Sequence, residues 1–555
     1  MTTSHASHPY TPRFDLVVVG ATPSGIAAAI RAARCGLSVL LTQHNDHIGG
    51  MCSNGLGQWD AQSDHRRCGL FREILHQLEQ HYQNTDDAGH VTYNVANYPV
   101  GSFASGTIEA LFERMVAAEP TITLERSVIP LAVQREGRRI VALTLGTKAG
   151  DQLSEVVADS FIDATYEGDL LALAGAAYHV GREGFDEYGE PHAGRLFTGA
   201  TEPAPAADAS GGARVKPYGH AMTQFHDASP RSGDGAIQAY NLRPCLSSNP
   251  ATRQHLDSPP TGYERERYVN YIRKYLVINN RCEGTASYNS PILPGANHAY
   301  PEADWATRDT ITTMHAEFAL GLMYFLQNDP SVPDDQRERH RHWGLASNEW
   351  QDNGHLPHEM YVREARRLRG RRILTEHDFT VPHDALRPPA FADSICFTDW
   401  YMDSHSCTHD GTYGADHNCI DRYPFDGKLI LTDRFRPAMI PYDSLLPQEL
   451  DNLIVSVCIS TTHVAWGSVR LEPCWIHLGE VAGYAAALAK RERCTPGTLA
   501  VSTLQQALVA SGASIAFLNN SERILDDPRR AEWELQVCHG EHTSFETPMT
   551  PIENP

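Results

Sequence analysis

Apolar residues gather first at Leu16 to Val19, then along an alanine-rich stretch from Ser24 to Arg34, and again at Leu37 to Leu41. Short unbroken apolar runs suit strands buried on both faces, and the small-residue stretch between them has the length of a helix. Together they predict a βαβ unit with Gly20 and Gly25 in its connecting turn. Farther on, FIDATYEGDLLALAG reads as a strand ending at Asp163 and a helix beginning at about Gly168. NLIVSVCISTTHVAWGSVRLEPCWIHLGEVAGYAAALA reads as a strand, an irregular loop bearing His463 and Gly467, and a long helix. Helical patterning also covers Tyr263 to Leu276, Asp309 to Leu326, Glu359 to Leu368 and Ser502 to Ala510. The polar stretch Thr201 to Gly212 reads as a loop, and no internal repeat is evident.

The first turn carries the first chemistry. Gly20 admits a tight turn, Gly25 lets the helix lie close to the strand, and the free amides at the helix start suit a pyrophosphate. Thr22 stands where the second glycine of a dinucleotide fingerprint falls, and Gln43 where an acid usually grips the ribose. A neutral amide still accepts a ribose hydroxyl. The segment HNDHIGG after Gln43 offers no arginine pair for a 2′-phosphate, which disfavours NADP. Gly49 and Gly50 open GGMCSNGLGQWD, where backbone must pass close to the rest of a dinucleotide.

These motifs, in this order, resemble the FAD-dependent oxidoreductases of the glutathione-reductase-type flavoprotein superfamily. The resemblance runs from about Phe14 to Arg493, through VVVGATPSGIAAAI, GGMCSNGLG, IDATYEGDLLALAGAAYHVGREGFDEYGE, QAYNLRPCLSSNPATR, LPHEMYVREARRLRG and HVAWGSVRLEP. It implies an α/β fold with a Rossmann-like FAD-binding domain split in sequence into 14–180 and 425–492. An inserted α+β cap or substrate domain would occupy 181–424, and a C-terminal helix and tail 493–555. FAD would meet Gly20, Thr22, Ser24 and Gly25 through its pyrophosphate and Gln43 through the adenosine ribose. Gly49, Gly50, Met51 and Cys52 would lie on the ribityl and flavin side. Val128, on a strand in LERSVIPLAV, would contact adenine through backbone, and Thr165 and Gly168 would close the second side. His463, Gly467, Ser468 and Val469 would approach the isoalloxazine.

Composition narrows the partners. Acidic residues exceed basic ones by 68 − 46 = 22 with no basic stripe, so nucleic acid and anionic membrane surfaces are poor partners. The chain shows no cationic, apolar leader and no stretch near eighteen apolar residues, and a cytoplasmic protein without a membrane span is expected. The 12 cysteines include no C-x-x-C pair and read as reduced thiols. Cys52 lies where flavin disulfide reductases carry a redox cysteine, but the partner position five residues on is Gly57. With no second glycine-rich βαβ unit either, neither disulfide reduction nor a dedicated NAD(P)H domain is expected. Cys52 reads as a packed thiol beside the flavin, with a covalent flavin link or a catalytic thiol as alternatives.

The catalytic candidates are His463, Arg470, His405 and Asp403. His463 suits a base or a flavin attachment point, against a loop-capping role. Arg470 suits an anionic group, against a pairing with Glu472. In FTDWYMDSHSCTHDGTYGADHNC, strand alternation would put His405, Cys407 and His409 on one face near His417 and Cys419. That raises metal ligation, yet no zinc spacing is matched and no metal is expected. Asp403 and His405 are what the resemblance implies the cap brings to the active site. Glu167 and Asp169 are possible acids or helix-start residues, Tyr188 and Glu190 possible cap lining. Glu359, Arg363, Arg366 and Arg367 read as a solvated or interdomain helix face. The leading function is FAD-dependent removal of a hydride from a small polar substrate, first CH–OH oxidation, with His463 or His405 as base. The alternatives are C=C desaturation or enoate reduction with Arg470 on a carboxylate, and a flavin-containing non-redox binding protein. The acceptor would be oxygen, a quinone or another carrier.

Overall fold

The structure is a computed structural model and describes residues 11–61, 67–83, 102–199, 224–225, 227, 229–269, 278–280, 285–289, 291–382, 385, 387–408, 425–431, 437–518 and 527–541. The βαβ unit forms as the apolar pattern requires. Strand β1 (Arg13–Val19) pairs in parallel with β2 (Val39–Thr42), Leu16 opposite Val39 and Val19 opposite Thr42. Helix α1 (Pro23–Arg34) makes the crossover that parallel strands need. Pro23 occupies its first turn, where a missing N–H costs nothing, and Arg31 and Arg34 in the last turn complement the helix dipole.

Helices α2 (Gly69–Gln83) and α3 (Ser105–Ala117) follow, then β3 (Ile122–Glu125), β4 (Ile129–Glu136), β5 (Arg139–Gly146) and β6 (Gln152–Asp163). The sheet runs β3-β2-β1-β6-β5-β4. The 12 residues of β6 serve two neighbours: its first part is antiparallel to β5, and the stretch from Val157 to Asp163 is parallel to β1. The strand Leu453–Val455 returns from far along the chain to pair in parallel with Phe161, Ile162 and Asp163. Behind it the helix Glu472–Arg491 lies on α1 so closely that a Cβ on Gly479 would sit 2.0 Å from the Ser24 carbonyl oxygen. Small residues at this crossing are therefore a packing requirement.

Between these parts the described strands of the insertion pair antiparallel, including a five-stranded sheet. The long helix Trp305–Asn328 covers that sheet and builds a second core of Tyr268, Phe318, Leu322 and Phe325 against Leu246 and Ala286. The predicted helices Asp309 to Leu326 and Ser502 to Ala510 lie within Trp305–Asn328 and Val501–Ala510. Of Tyr263 to Leu276, Arg265–Arg267 forms one 3-10 turn and 270–277 lie outside the described residues, as does Thr201 to Gly212. Among the described residues no helix is long and apolar enough to cross a membrane.

Three local expectations are corrected. Glu359 to Leu368 is buried and extended, with Arg367–Leu368 paired to Tyr178–His179. A helix would have held its charged groups on one exposed face. The extended chain instead delivers Arg363 to the Ala239 carbonyl and Asn241, Arg366 to Asp169 and Glu302, and Arg367 to Glu183 and Glu364. Hydrogen bonds to charged groups contribute about 1.5–3 kcal/mol each, more than helix propensity offers at such positions. His463 does not lie in an irregular loop: it opens the helix His463–Val469, whose first turn is capped by Thr462 accepting from the Ala465 amide. Val128 precedes β4 rather than lying on it, because Ser127 takes a left-handed turn at φ 55°.

Candidate active site

The dinucleotide turn is built from backbone approaching backbone. Gly20 sits at φ 98°, and a Cβ there would meet the Ala164 carbonyl at 2.9 Å. Thr22, at the place of the second glycine of a dinucleotide fingerprint, caps α1. Its Oγ1 accepts from the Gly25 amide (3.3 Å) and donates to the Ala164 carbonyl (2.8 Å). The second residue of a helix has no carbonyl partner for its N–H, which leaves the Ser24 amide turned outward while its hydroxyl bonds Ser456 (2.9 Å).

Gln43 is pinned from both ends. Its Oε1 accepts from the Ala21 amide (3.0 Å), and its Nε2 donates to Asn45 (3.3 Å) and to Glu359 (2.7 Å). A carboxylate thus does stand beside Gln43, delivered from Glu359 far along the chain and not by the end of β2. Burial, with help from Glu167, pushes the Glu359 pKa up to about 7. Gln43→Ala should lower stability by about 1–3 kcal/mol, since it strands the buried Ala21 amide, and thermal unfolding measures the loss.

Gly49 (φ 100°) and Gly50 (φ 50°) make room for Ser53 and Tyr166, whose side chains occupy the space their Cβ atoms would fill. The Met51 amide donates to the Tyr166 hydroxyl (3.0 Å), which donates to Glu472 (3.0 Å). Burial and the nearby Asp60 push the Glu472 pKa up to about 8. Cys52 is fully buried, and burial raises its thiol pKa well above the usual value. The Val128 amide donates to the Gln43 carbonyl (3.0 Å), leaving its own carbonyl for any adenine contact. Thr165 binds Asp163 and accepts from the Gly168 amide (2.9 Å), holding the turn before the helix Asp169–Leu173.

On the far side, Gly467 is pressed onto the strand Met402–Ser404: a Cβ would lie 2.6 Å from the Asp403 amide nitrogen. Arg470 donates to the Asp403 carbonyl (2.9 Å), meets its carboxylate at 3.3 Å and donates to the Tyr361 hydroxyl (3.1 Å). It does not pair with Glu472, which holds Tyr166.

The two histidines are held in opposite states. His463 Nδ1 meets Glu364 at 2.9 Å, and Nε2 meets the Ser404 hydroxyl at 3.1 Å and the Cys407 sulfur at 3.9 Å. Burial opposes its charge, but Glu364 and Cys407 outweigh it and hold its pKa up to about 10. A raised pKa stabilises the fold fully below the unfolded value near 6.5, and that contribution is lost as pH rises through about 10. The stability gap between the parent and His463→Gln should therefore narrow from about pH 6.5 to about pH 10, as read by thermal unfolding across pH. For His405, burial acts first and the charges of Arg363, Lys428, Arg470 and Arg243 add to it, holding its pKa well below the usual value. Its amide donates to Gln238 (3.1 Å).

His405 and Cys407 thus serve different neighbours and do not form a common ligand face; His409, His417 and Cys419 lie outside the described residues. Glu190 bonds Thr462 (2.6 Å) as part of the support of the His463 helix. Elsewhere, His47, Asp352 and His358 bring three ligand-type atoms within 4.8 Å. Each imidazole meets a different Asp352 oxygen, at 2.9 and 3.2 Å, so ion pairing accounts for the group.

Sequence reasoning missed Glu364, Ser404, Arg243 and Tyr361. For Tyr361 the signal was the run of three successive apolar residues Met360, Tyr361 and Val362, which does not fit one face of a solvated helix. The residues fit a flavin dinucleotide: a turn with Gly20 and Gly25 where a Cβ would clash, a helix start whose Ser24 amide has no helical carbonyl, and buried Ser468 Oγ, Thr461 Oγ1 and Glu472 Oε2 with no partner among the described residues.

Fold and site together define an FAD-binding oxidoreductase of Rossmann type. The family described as FAD dependent oxidoreductase matches residues 15–508, and the chain belongs to it, with FAD as its cofactor. No curated protein matches. Similar solved structures include L-proline dehydrogenase from P. horikoshii, at 18% identity over 28% of this chain and 23% of that chain, TM-score 0.18. The glycerol-3-phosphate dehydrogenase from Bacillus halodurans, complexed with FAD, is 13% identical over 31% of this chain and 38% of that chain, TM-score 0.23. Thermovibrio ammonificans THI4 is 18% identical over 31% of this chain and 66% of that chain, TM-score 0.23. The chain thus spans less than two thirds of each of these structures.

Proposed function

We propose that this oxidoreductase removes two electrons from a CH–OH group of a small polar substrate, with His405 taking the hydroxyl proton. FAD, when bound through the Gly20 to Gly25 turn and the Ser468 region, supplies the acceptor for the electron pair of the broken C–H bond. The observation that carries the reading is the contrast between the two histidines. His463 is charged at neutral pH and engaged at both nitrogens, which suits a positioning group between Glu364 and Ser404. His405 is kept neutral by burial, with the surrounding cations adding to it, as a base must be before the proton arrives. Asp403, fixed by Arg470 and by the close pass of Gly467, orients the strand that carries it.

Anaerobic addition of alcohols, polyols, sugars and hydroxy acids to the purified holoenzyme tests this directly. Bleaching of the visible flavin absorbance by one of these compounds is the expected result. Bleaching only by amines, or reoxidation of reduced enzyme by enoates in place of it, would overturn the CH–OH assignment.

A further inference from the structure

Three arginines converge on one buried tyrosine. Arg243 lies over the Tyr361 ring at 4.4 Å, Arg363 at 4.5 Å, and Arg470 at 6.0 Å with a hydrogen bond to the Tyr361 hydroxyl. All three are more than nine-tenths buried. Their partners differ in a telling way. Arg470 has the Asp403 carboxylate, while Arg363 has the neutral Ala239 carbonyl and Asn241 and an unpartnered Nε. Arg243 is 6% exposed, and its Nε has no partner. Among the described residues it makes no hydrogen bond and no ion pair; the Tyr361 ring is its contact.

A guanidinium cannot escape this position by losing its proton as a lysine can, and burying an uncompensated charge costs several kcal/mol. The acids within reach answer it only in part: the charge of Asp60 acts on Arg243 and Arg470, yet Arg243 makes no ion pair among the described residues. Asp403 is committed to Arg470, and Glu472 is largely protonated at neutral pH, with its pKa up to about 8. Lys428 adds a further cation on the side of Asp403 and Arg363. Two buried guanidiniums, neither ion-paired among the described residues, make a site prepared for an anion brought from outside. The flat, forked guanidinium offers two parallel N–H groups to the two oxygens of a carboxylate.

We propose that Arg243, Arg363 and Arg470 around Tyr361 bind a carboxylate carried by the substrate, which makes that substrate a hydroxy acid or sugar acid. The inference rests on the CH–OH reading and deepens it. His405 adjoins the same cations, so a carboxylate seated on the arginines places the neighbouring carbinol beside the base. Tyr361 supplies a rigid floor that spaces the guanidiniums while its hydroxyl fixes Arg470.

The test uses the holoenzyme with acetate, inorganic phosphate and neutral acetamide as probes, read by perturbation of the flavin spectrum and by thermal unfolding. Acetate should bind saturably and raise the unfolding temperature, acetamide should do neither, and Arg243→Met should weaken acetate by about 10- to 100-fold, the loss of one charged hydrogen-bond partner. Without ligand, Arg243→Met should unfold at a higher temperature than the parent, because it removes a buried charge that makes no ion pair among the described residues. Arg243→Lys should recover part of the acetate affinity. An equal response to acetamide, tighter binding of phosphate than of acetate, or loss of FAD from Arg243→Met would each overturn the carboxylate site, the last by giving the cluster to the cofactor. A neutral polyol that reduces the flavin, with no acetate binding, overturns this inference and leaves the CH–OH reading standing. Tight acetate binding, with every hydroxy acid leaving the flavin oxidised, supports the anion site and overturns that reading.

Discussion

Gly25→Val should yield a folded protein that retains almost no FAD, seen as the near absence of visible flavin absorbance per chain after purification. A Cβ on Gly25 would lie 1.8 Å from the Gly20 carbonyl oxygen and 3.1 Å from the Ala164 Cβ. Neither neighbour can yield: Gly20 is fixed at φ 98° with its amide on the Thr42 carbonyl, and Ala164 is tied to Val19 and Thr22. The start of α1 must back away from the strand, carrying with it the amides proposed to hold the pyrophosphate. Overpacking of this kind also costs about 1–3 kcal/mol of stability. Gly36→Ala is the control. Gly36 is also left-handed, at φ 89°, but nothing lies within 4 Å of its would-be Cβ. It should lose a little stability and keep its flavin. Parental flavin content in Gly25→Val would remove the turn from the cofactor site.

His405→Ala should keep FAD and slow flavin reduction by the substrate by about 10² to 10⁴, the usual contribution of a positioned base. His463→Gln should lose less, because its native partner already holds it charged and its place is structural. The pH profile separates the two. A base whose pKa lies well below 6.5 is ready throughout neutral pH, so the reductive rate should not fall as pH drops through about 6.5. Stopped-flow reduction of both variants across pH decides the matter. A parental rate in His405→Ala, or a larger loss in His463→Gln, would return the role to His463.

The βαβ unit was legible because its information is local. The apolar run at Leu16 to Val19, Gly20, Gly25 and the alanine-rich helix sit within twenty residues, and each choice agrees with the same βαβ unit. The surroundings of His463 and Arg470 were not. Arg363 and Arg367 sit at helical spacing, and their extended path is decided by Asn241, Glu183 and Thr461, residues far away in sequence. The partition of Asp403, Ser404 and Cys407 between Arg470 and His463 likewise depends on how the strand Met402–Ser404 passes under Gly467. Thr462 as a helix cap was readable from its residue type, yet seven helical residues interrupted by Gly467 leave too short a period to register.

The return of Leu453–Val455 to β6 also sets a timetable. During synthesis the edge of β6 from Phe161 to Asp163 emerges about 290 residues before the strand that covers it, an interval of about 15 to 60 s on a ribosome. The face of α1 that receives the helix Glu472–Arg491 waits longer still. Throughout that interval the nascent chain carries a bare strand edge and an uncovered alanine surface, the two features most prone to pairing with another chain. Recombinant yield should therefore respond to slower growth and to holdase chaperones, even though the completed enzyme closes both surfaces.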